Sequence, residues 1–350
     1  MTPIITHSAA FFFVFDSVLL QSCTRSDMSL DDGSCRINIC NGLLLYYHQY
    51  SFYSQKVLMA LHEKKLPFES CIIDLPKGGQ YEPWYLQINP RGEVPVLQDC
   101  GKLIPDSTRI IDYLEDHFCI ADIPKLIPME EGFEVRQRIT YYRHILDQIP
   151  AGILTMGSFF HPELVKRPKA PFLPPVRKNF IRTENNRSEI LKAHAENNPE
   201  CRHILLKKLE FHERRHQIVT NKEEFLSVLN QVEDVLDKVE EELASHNHKN
   251  QENWWLCSNT FTVADISLTI LLERLNQLGF ECAFWKDSRR PNIEKYYKRV
   301  QERESYKKSI PNIFFHLKTV VRVKPIAIGC AVVAGMFLIV GGFFIIRKMM

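Results

Sequence analysis

A proline inside a strand-forming run is the feature that most constrains how this chain can fold. Residues 89–97 begin with the turn dipeptides Asn-Pro and Arg-Gly and continue with strand formers on both sides of Pro95. Proline donates no backbone hydrogen bond, so a sheet tolerates it at an edge, at a bulge or after a cis peptide bond. If the bond before Pro95 is cis, the N–H and C=O of Val94 turn away from the sheet and can pair with an extended peptide-like ligand. The alternative is a surface hairpin with an ordinary trans proline.

The chain around this turn, residues 42–118, alternates strand and helix patterns. The predicted order is strand, helix, strand, strand, strand, helix, at residues 43–47, 54–64, 68–73, 94–97, 103–104 and from 107 onward. Ser54 is the expected N-cap of the first helix, and Ser107 begins the last one. A βαβ unit followed by a ββα unit is the order of a thioredoxin-like α/β domain.

Residues 129–312 carry helical patterns and predict an all-α domain. From Phe225, apolar residues recur at alternating spacings of four and three over about three heptads. This spacing fits a dimeric coiled coil or a long helix in a bundle, and the short repeat favours the bundle. Thr262 and Asp265 have the spacing of a capping box that opens another helix.

A basic insertion at about 161–222 interrupts the helical domain. It holds 14 Lys and Arg against 7 Asp and Glu. Its proline-rich start predicts an exposed loop, and from Glu200 it becomes helical and strongly basic. It is either a solvated helical hairpin or a docking surface for an acidic protein or an anionic lipid surface. We favour the docking surface, because the domain would fold without this segment.

The end of the chain has the pattern of a membrane anchor. Residues 325–346 contain no charged side chain, and as a helix they would span roughly 33 Å, enough for a bilayer core. Because few residues follow, the rest of the chain is expected to stay in the cytosol. Basic residues on both sides make the run similar to tail anchors of the mitochondrial outer membrane. Residues 1–41 have no basic start before their apolar run, which argues against a signal peptide, and we expect a poorly ordered extension.

Composition excludes several functional classes. A formal net charge of +2 argues against a nucleic-acid-binding protein. The ten cysteines include no C-x-x-C pair, so a zinc ribbon and a thioredoxin redox pair are not predicted. His212 to His216 fits the H-E-x-x-H zinc signature. Its intervening arginines and the missing third ligand downstream make a chance match the expected explanation, and no metal is predicted.

The pattern at 89–97 is similar to the Asn-Pro-x-Gly-x-Val-Pro-x-Leu motif of glutathione transferases. Together with the insertion and the terminal anchor, the chain resembles the ganglioside-induced differentiation-associated protein 1 family, which is glutathione-transferase-like. The resemblance covers 42–350 and includes the segments 51–57, 82–84, 92–97, 110–115, 161–164 and 235–240. It implies a protein of the mitochondrial outer membrane that faces the cytosol, promotes fission and affects glutathione and redox balance. Homodimers are usual among transferases.

The same resemblance implies a glutathione site. Ser51 takes the place of the serine that activates the thiol in zeta-like transferases, and Tyr53 is an alternative hydroxyl. Both are equally well explained as ordinary turn residues. Val94 and Pro95 would bind the peptide backbone of glutathione. Asp106 and Ser107 would hold its γ-glutamyl end, although Ser107 also fits a helix N-cap. A working, membrane-anchored transferase that conjugates glutathione to electrophiles is the alternative to a regulatory protein.

Overall fold

The computed structural model describes residues 42–119, 123–248 and 253–311. The predicted extension at 1–41 and the predicted anchor at 325–346 lie outside these described residues. Within them, no helix combines the length and the apolar character needed to cross a membrane.

The N-terminal half has the predicted thioredoxin-like order. Its elements are β1 (Leu43–Tyr47), α1 (Phe52–Glu63), β2 (Phe68–Ile72), α2 (Pro83–Ile88), β3 (Val96–Asp99), β4 (Lys102–Pro105) and α3 (Ser107–His117). The sheet order is β2-β1-β3-β4, with β1 parallel to β2 and β3 antiparallel to both β1 and β4. The expected thioredoxin-like order of strands and helices is therefore confirmed.

Alternating side chains of β1 and β3 place helices on both faces of the sheet. Leu45 pairs with Leu97 on the face that joins the main core with α1 and α3. Tyr46 pairs with Val96 on the opposite face, where both pack against Tyr85 of α2. Because strand side chains alternate with period two, one short strand supplies both layers.

The N-cap of α1 differs from the prediction. Helix α1 begins at Phe52, and its N-cap is Ser51, whose Oγ accepts from the backbone N–H of Ser54 at 3.3 Å. Ser51 has the extended backbone that an N-cap needs, with φ −72° and ψ 124°. Ser54, predicted as the cap, is instead fully buried in the first turn.

The second half is helical throughout its described part. Its helices are α4 (Phe133–Asp147), α5 (Ala151–Phe160), α6 (Pro174–Asn185), α7 (Arg187–Asn197), α8 (Arg202–Thr220), α9 (Lys222–His248), α10 (Val263–Leu278), α11 (Glu281–Phe284), α12 (Pro291–Gln301) and α13 (Glu304–Ser309).

Helices α9 and α10 build the core of this half. Helix α10 is buried on nearly all sides and opens with the predicted capping box of Thr262 and Asp265. The apolar seam of α9, including Val232, Leu236 and Val239, is buried within the chain, where α9 contacts α5, α8 and α12. This is the arrangement that the bundle interpretation requires.

Ion pairs connect the two halves. Arg303 donates two hydrogen bonds to Glu63 at 2.8 and 2.7 Å, and Lys56 contacts Asp147 at 2.6 Å. Lys56 is only 2% exposed, so its pair joins α1 firmly to the end of α4. The N-terminus of α1 is therefore fixed relative to the helical half.

The insertion is more helical than predicted. Helices α6 and α7 occupy residues expected to form a loop, and the paired prolines at 174 and 175 open α6. Proline fits the first helical turn, because its missing N–H has no intrahelical partner there. Helices α7 and α8 pack together, and Leu191 and Leu205 form a buried cluster with Tyr81 and Leu86 of the N-terminal half. One face of the hairpin is thus covered by the chain itself.

Candidate functional site

Side-chain hydrogen bonds stabilise the turn before β3 and leave the backbone of Val94 without a partner among the described residues. The Val94-Pro95 bond is cis, which decides between the two arrangements that the sequence left open. The carbonyl of Glu93 accepts from the Tyr85 hydroxyl at 2.7 Å and from Nδ2 of Asn89 at 2.9 Å. Val94 lies just outside β3, and no backbone hydrogen bond joins it to another described residue. Its N–H and C=O therefore remain available to an extended ligand.

Helix α8 of the insertion clamps this turn. Nζ of Lys208 donates to the carbonyl of Arg91 and to Oε1 of Glu93, both at 2.8 Å. Burial alone would raise the pKa of Glu93, but the charges of Lys208 and Arg91 outweigh it and lower that pKa. Glu93 is therefore ionised at neutral pH. The contact between the insertion and this turn was not predicted from the sequence.

Ser51 lies at the N-terminus of α1, and its hydroxyl hydrogen is free to donate a hydrogen bond. Its Oγ accepts from Ser54, which leaves the O–H hydrogen to donate elsewhere. The backbone N–H of Ser51 donates to the carbonyl of His48 at 2.9 Å. Burial lowers the pKa of His48 to about 4, so this histidine is neutral and its Nδ1 accepts from the N–H of Tyr50. A thiolate placed at this helix start would meet donors and positive dipole ends.

Tyr53 projects from the first turn of α1 into a group of charges. Although 43% of its surface is exposed, its pKa is raised by burial of the phenol and by the nearby carboxylates of Glu93, Asp147 and Asp106. The phenol is therefore protonated well above pH 7 and can donate a hydrogen bond but not act as a base. The sheet register places these segments side by side, because Tyr46 of β1 pairs with Val96 at the start of β3, which in turn pairs with Pro105 at the end of β4.

Asp106 caps α3 in an unusual backbone conformation. Its Oδ1 accepts from the N–H groups of Thr108 at 2.9 Å and Arg109 at 3.1 Å. Its φ of 76° is rare for a residue other than glycine and costs on the order of 1–3 kcal/mol. Such strain is concentrated at functional sites. Ser107 is the first residue of the helix and is buried, so Asp106, not Ser107, is the N-cap.

Arg274 is a site residue that the sequence analysis missed. It is 5% exposed on α10 and donates to the carbonyl of Tyr50 at 2.8 Å and to Oγ1 of Thr155 at 2.9 Å. Burial lowers its pKa to about 10, which leaves it charged at pH 7. It thus fixes the loop before Ser51 and brings a cation close to Tyr53. The available signal was that Arg274 is the one basic residue of a mostly apolar helix.

The predicted residues therefore lie along one edge of the sheet, at the starts of α1 and α3 and at the turn before β3, and we call this group the candidate site. Carboxylates suit an ammonium group, the free backbone of Val94 suits a peptide, and the hydroxyls of Ser51 and Tyr53 suit a thiolate. Phe52 separates those two hydroxyls along the chain, and the structure leaves both as candidates.

Comparison with known proteins places the chain among proteins with this architecture. Residues 45–119 match the glutathione S-transferase N-terminal domain and residues 186–304 match the C-terminal domain. The chain is 33% identical to ganglioside-induced differentiation-associated protein 1-like 1 of Homo sapiens over 77% of its length and 74% of that protein. The chain belongs to the ganglioside-induced differentiation-associated protein 1 family. Family members are glutathione-transferase-like, and so is this chain.

Glutathione transferases are among the other proteins that the chain resembles. It is 27% identical to glutathione S-transferase TCHQD of Arabidopsis thaliana, over 77% of this chain and 90% of that one. Among solved structures, the beta-etherase LigF of Sphingobium has a TM-score of 0.54 at 21% identity, covering 77% of this chain and 98% of that one. A glutathione transferase of Populus trichocarpa has a TM-score of 0.51 at 18% identity, covering 76% and 97%. At these identities the solved structures show the fold.

Proposed function

We propose that this chain binds glutathione at the candidate site described above and acts at the mitochondrial outer membrane as a regulator that promotes fission. The observation that carries the binding proposal is the sheet register, which brings the start of α1, the cis turn at Val94-Pro95 and the start of α3 to one edge of the sheet. Glutathione has an ammonium group, a peptide backbone and a thiol. The carboxylate of Asp106, the backbone of Val94 and the hydroxyl of Ser51 or Tyr53 match these three groups in turn.

The uncharged run at 325–346 supports the membrane assignment, with the rest of the chain in the cytosol. In that arrangement a glutathione site would couple the cytosolic redox state to the shape of the mitochondrial network. The outer face of the insertion carries exposed basic residues and would contact an acidic protein or anionic lipids.

We also propose a homodimer, the state often found among transferases. Helix α4 exposes Phe133 and Tyr141 to solvent, and Met129 just before it is also exposed. A second copy of the chain would cover these apolar side chains. Light scattering of the detergent-solubilised chain distinguishes one copy from two.

Calorimetry with the full-length chain in detergent tests glutathione binding. Asp106→Asn is the informative variant, because asparagine is as good an N-cap and tolerates positive φ but removes the charge. We expect wild type to bind and Asp106→Asn to bind at least about tenfold more weakly, since hydrogen bonds to charged groups are the stronger ones. Asp116→Asn, at an exposed position of the same helix, is the control and should bind like wild type.

Absence of heat on titrating wild type with millimolar glutathione would overturn the binding proposal. Equal binding by wild type and Asp106→Asn would remove Asp106 from the site. The second candidate function, conjugation of glutathione to electrophiles, is favoured by the unused hydroxyl hydrogen of Ser51 at the start of α1.

A further inference from the structure

Two histidines of α8 face a buried glutamate of α6. His212 and His216 lie one helical turn apart, with ring centroids separated by 5.9 Å. Nδ1 of His212 is 3.5 Å from Oε1 of Glu184. One potential ligand atom from each of the three residues lies within 4.8 Å of the other two. Glu184 and His212 are 1% and 5% exposed, so this cluster lies inside the insertion.

We propose that Glu184, His212 and His216 form a zinc-binding site that ties α6 to α8. Two imidazoles and one carboxylate are common zinc ligands, and water completes the tetrahedron. Bond lengths of about 2.1 Å place tetrahedral ligand atoms roughly 3.4 Å apart. The observed separations need a contraction of the order of an ångström, which small side-chain rotations can supply.

A second observation points to a ligand at this position. Nδ1 of His216 is buried and has no hydrogen-bond partner among the described residues. Buried polar atoms are nearly always paired, so an unpartnered imidazole nitrogen beside a buried carboxylate needs an explanation. A metal ion bound by both would supply it.

A guanidinium group lies at the position that the metal would take. Arg215 forms an ion pair with Oε1 of Glu184 and approaches Nδ1 of His212 at 3.5 Å. Arg187 contacts the other carboxylate oxygen at 3.1 Å. Zinc would displace Arg215, while Arg187 would stay and orient the carboxylate from outside the ligand set. Zinc and Arg215 therefore compete for Glu184.

The site is structural rather than proteolytic. In zinc proteases the glutamate of H-E-x-x-H acts on the metal-bound water. Glu213, the corresponding residue here, is exposed. The third ligand, Glu184, lies on α6 and precedes the motif in sequence. A search for ligands downstream of the motif therefore does not find it. Lys208 lies one turn before His212 on the same helix, so zinc would also fix the helix that clamps the turn at Arg91 and Glu93.

Competition with a chromophoric zinc chelator, using the full-length chain in detergent, tests the site. We expect wild type to take up one zinc ion per chain and His216→Gln to lose at least about tenfold in affinity. His203→Gln is the matched control, because His203 is exposed on the same helix. Cobalt(II) in place of zinc should give the intense visible absorption of a four-coordinate site in wild type and not in His216→Gln. Circular dichroism verifies that each variant is folded.

Arg215→Met provides a test with the opposite sign. It keeps much of the side-chain volume but removes the competing cation, so zinc should bind more tightly than in wild type. Zinc should also raise the melting temperature of this variant by more than it raises that of wild type. Equal zinc affinity in wild type and His216→Gln, or weaker binding in Arg215→Met, would overturn the proposal and leave adventitious binding to surface histidines.

Discussion

At the residue scale, two hydroxyls compete for the role of thiol donor. If the chain is a working transferase and Ser51 activates glutathione, Ser51→Ala should lower kcat/KM by at least tenfold, about 1.4 kcal/mol of barrier. Ser51→Thr keeps both the hydroxyl and the N-cap acceptor and should retain most of the activity. The measurement is conjugation of a chromogenic electrophile by full-length protein.

Tyr53→Phe separates the two candidates, because it removes a hydroxyl and leaves the ring. Since the pKa of Tyr53 is raised, its phenol stays protonated, and a Tyr53-dependent activity would persist to pH 9. Activity unchanged in Ser51→Ala and reduced in Tyr53→Phe would assign the donor to Tyr53. Activity unchanged in both variants would exclude both hydroxyls from the mechanism.

Single residues also show what the sequence could not reveal. The turn at Pro95 was recognised because turn chemistry is local in sequence, whereas Asp106 and Ser107 were assigned to the site through the family resemblance. Arg274 and Glu184 were missed because their partners lie on distant helices, and only packing brings them together. For the same reason Ser54 was predicted as the cap: both serines suit that role, and the backbone conformation of Ser51 decides between them.

At the element scale, the contact between α5 and α9 depends on a glycine. A Cβ on Gly157 would overlap the ring of Phe225, which is fully buried and cannot move aside freely. We expect Gly157→Ala to lower the free energy of unfolding by roughly 1–3 kcal/mol, measured by urea denaturation. Gly152 lies in the same helix, and a Cβ at this position would meet only Nη1 of Arg215, at 3.8 Å.

Alanine at position 152 should therefore be neutral or stabilising by roughly 0.5–1 kcal/mol, because alanine favours a helix over glycine. Equal destabilisation by both substitutions would mean that the helix tolerates neither alanine, and that the contact with Phe225 is not the cause.

The docking of α8 on the turn before β3 should depend on pH. The pKa of Glu93 is lowered in the folded chain, so its ion pair with Lys208 stabilises the fold above the unfolded pKa of about 4.3 and is lost as pH falls through the lower, folded value. The stability difference between wild type and Lys208→Met should thus be larger at pH 7 than at pH 3.5.

Part of that difference should persist at low pH, because Lys208 also donates to the carbonyl of Arg91. Lys192→Met, at an exposed position of α7, is the control and should change stability little at either pH. A difference between wild type and Lys208→Met that is independent of pH would show that the ion pair contributes nothing to docking.

Whole elements were predicted where the sequence pattern is strong. The strands around Pro95, the capped helix α10 and the seam of α9 all follow from period and capping. The insertion was predicted less well. Prolines at 174 and 175 suggested a loop, yet proline is also favoured in a first helical turn, and burial of Leu191 and Leu205 against the N-terminal half stabilises helices there. Such burial depends on contacts distant in sequence.

At the scale of the whole molecule, the candidate site and the insertion form one connected unit. Lys208 joins α8 to the turn, Arg274 joins α10 to the loop before Ser51, and Lys56 joins α1 to α4. A ligand at the candidate site, or zinc in the insertion, would therefore stabilise contacts between both halves rather than one helix alone. Whether that stabilisation reaches the mitochondrial network depends on the proposed anchor.

Removing residues 325–350 separates membrane attachment from ligand binding. We expect the truncated chain to leave mitochondria and lose its effect on network shape, because the uncharged run is the proposed anchor, and to keep its affinity for glutathione. Replacing the run with the tail anchor of an endoplasmic reticulum protein is the control: it restores a membrane but not the mitochondrial one. Fluorescence imaging of labelled chains gives both location and network shape.

If the truncated chain fragmented mitochondria as well as wild type does, the anchor would not be needed for fission. Asp106→Asn with its anchor intact tests whether glutathione binding controls fission. Loss of fission in that variant would show that it does.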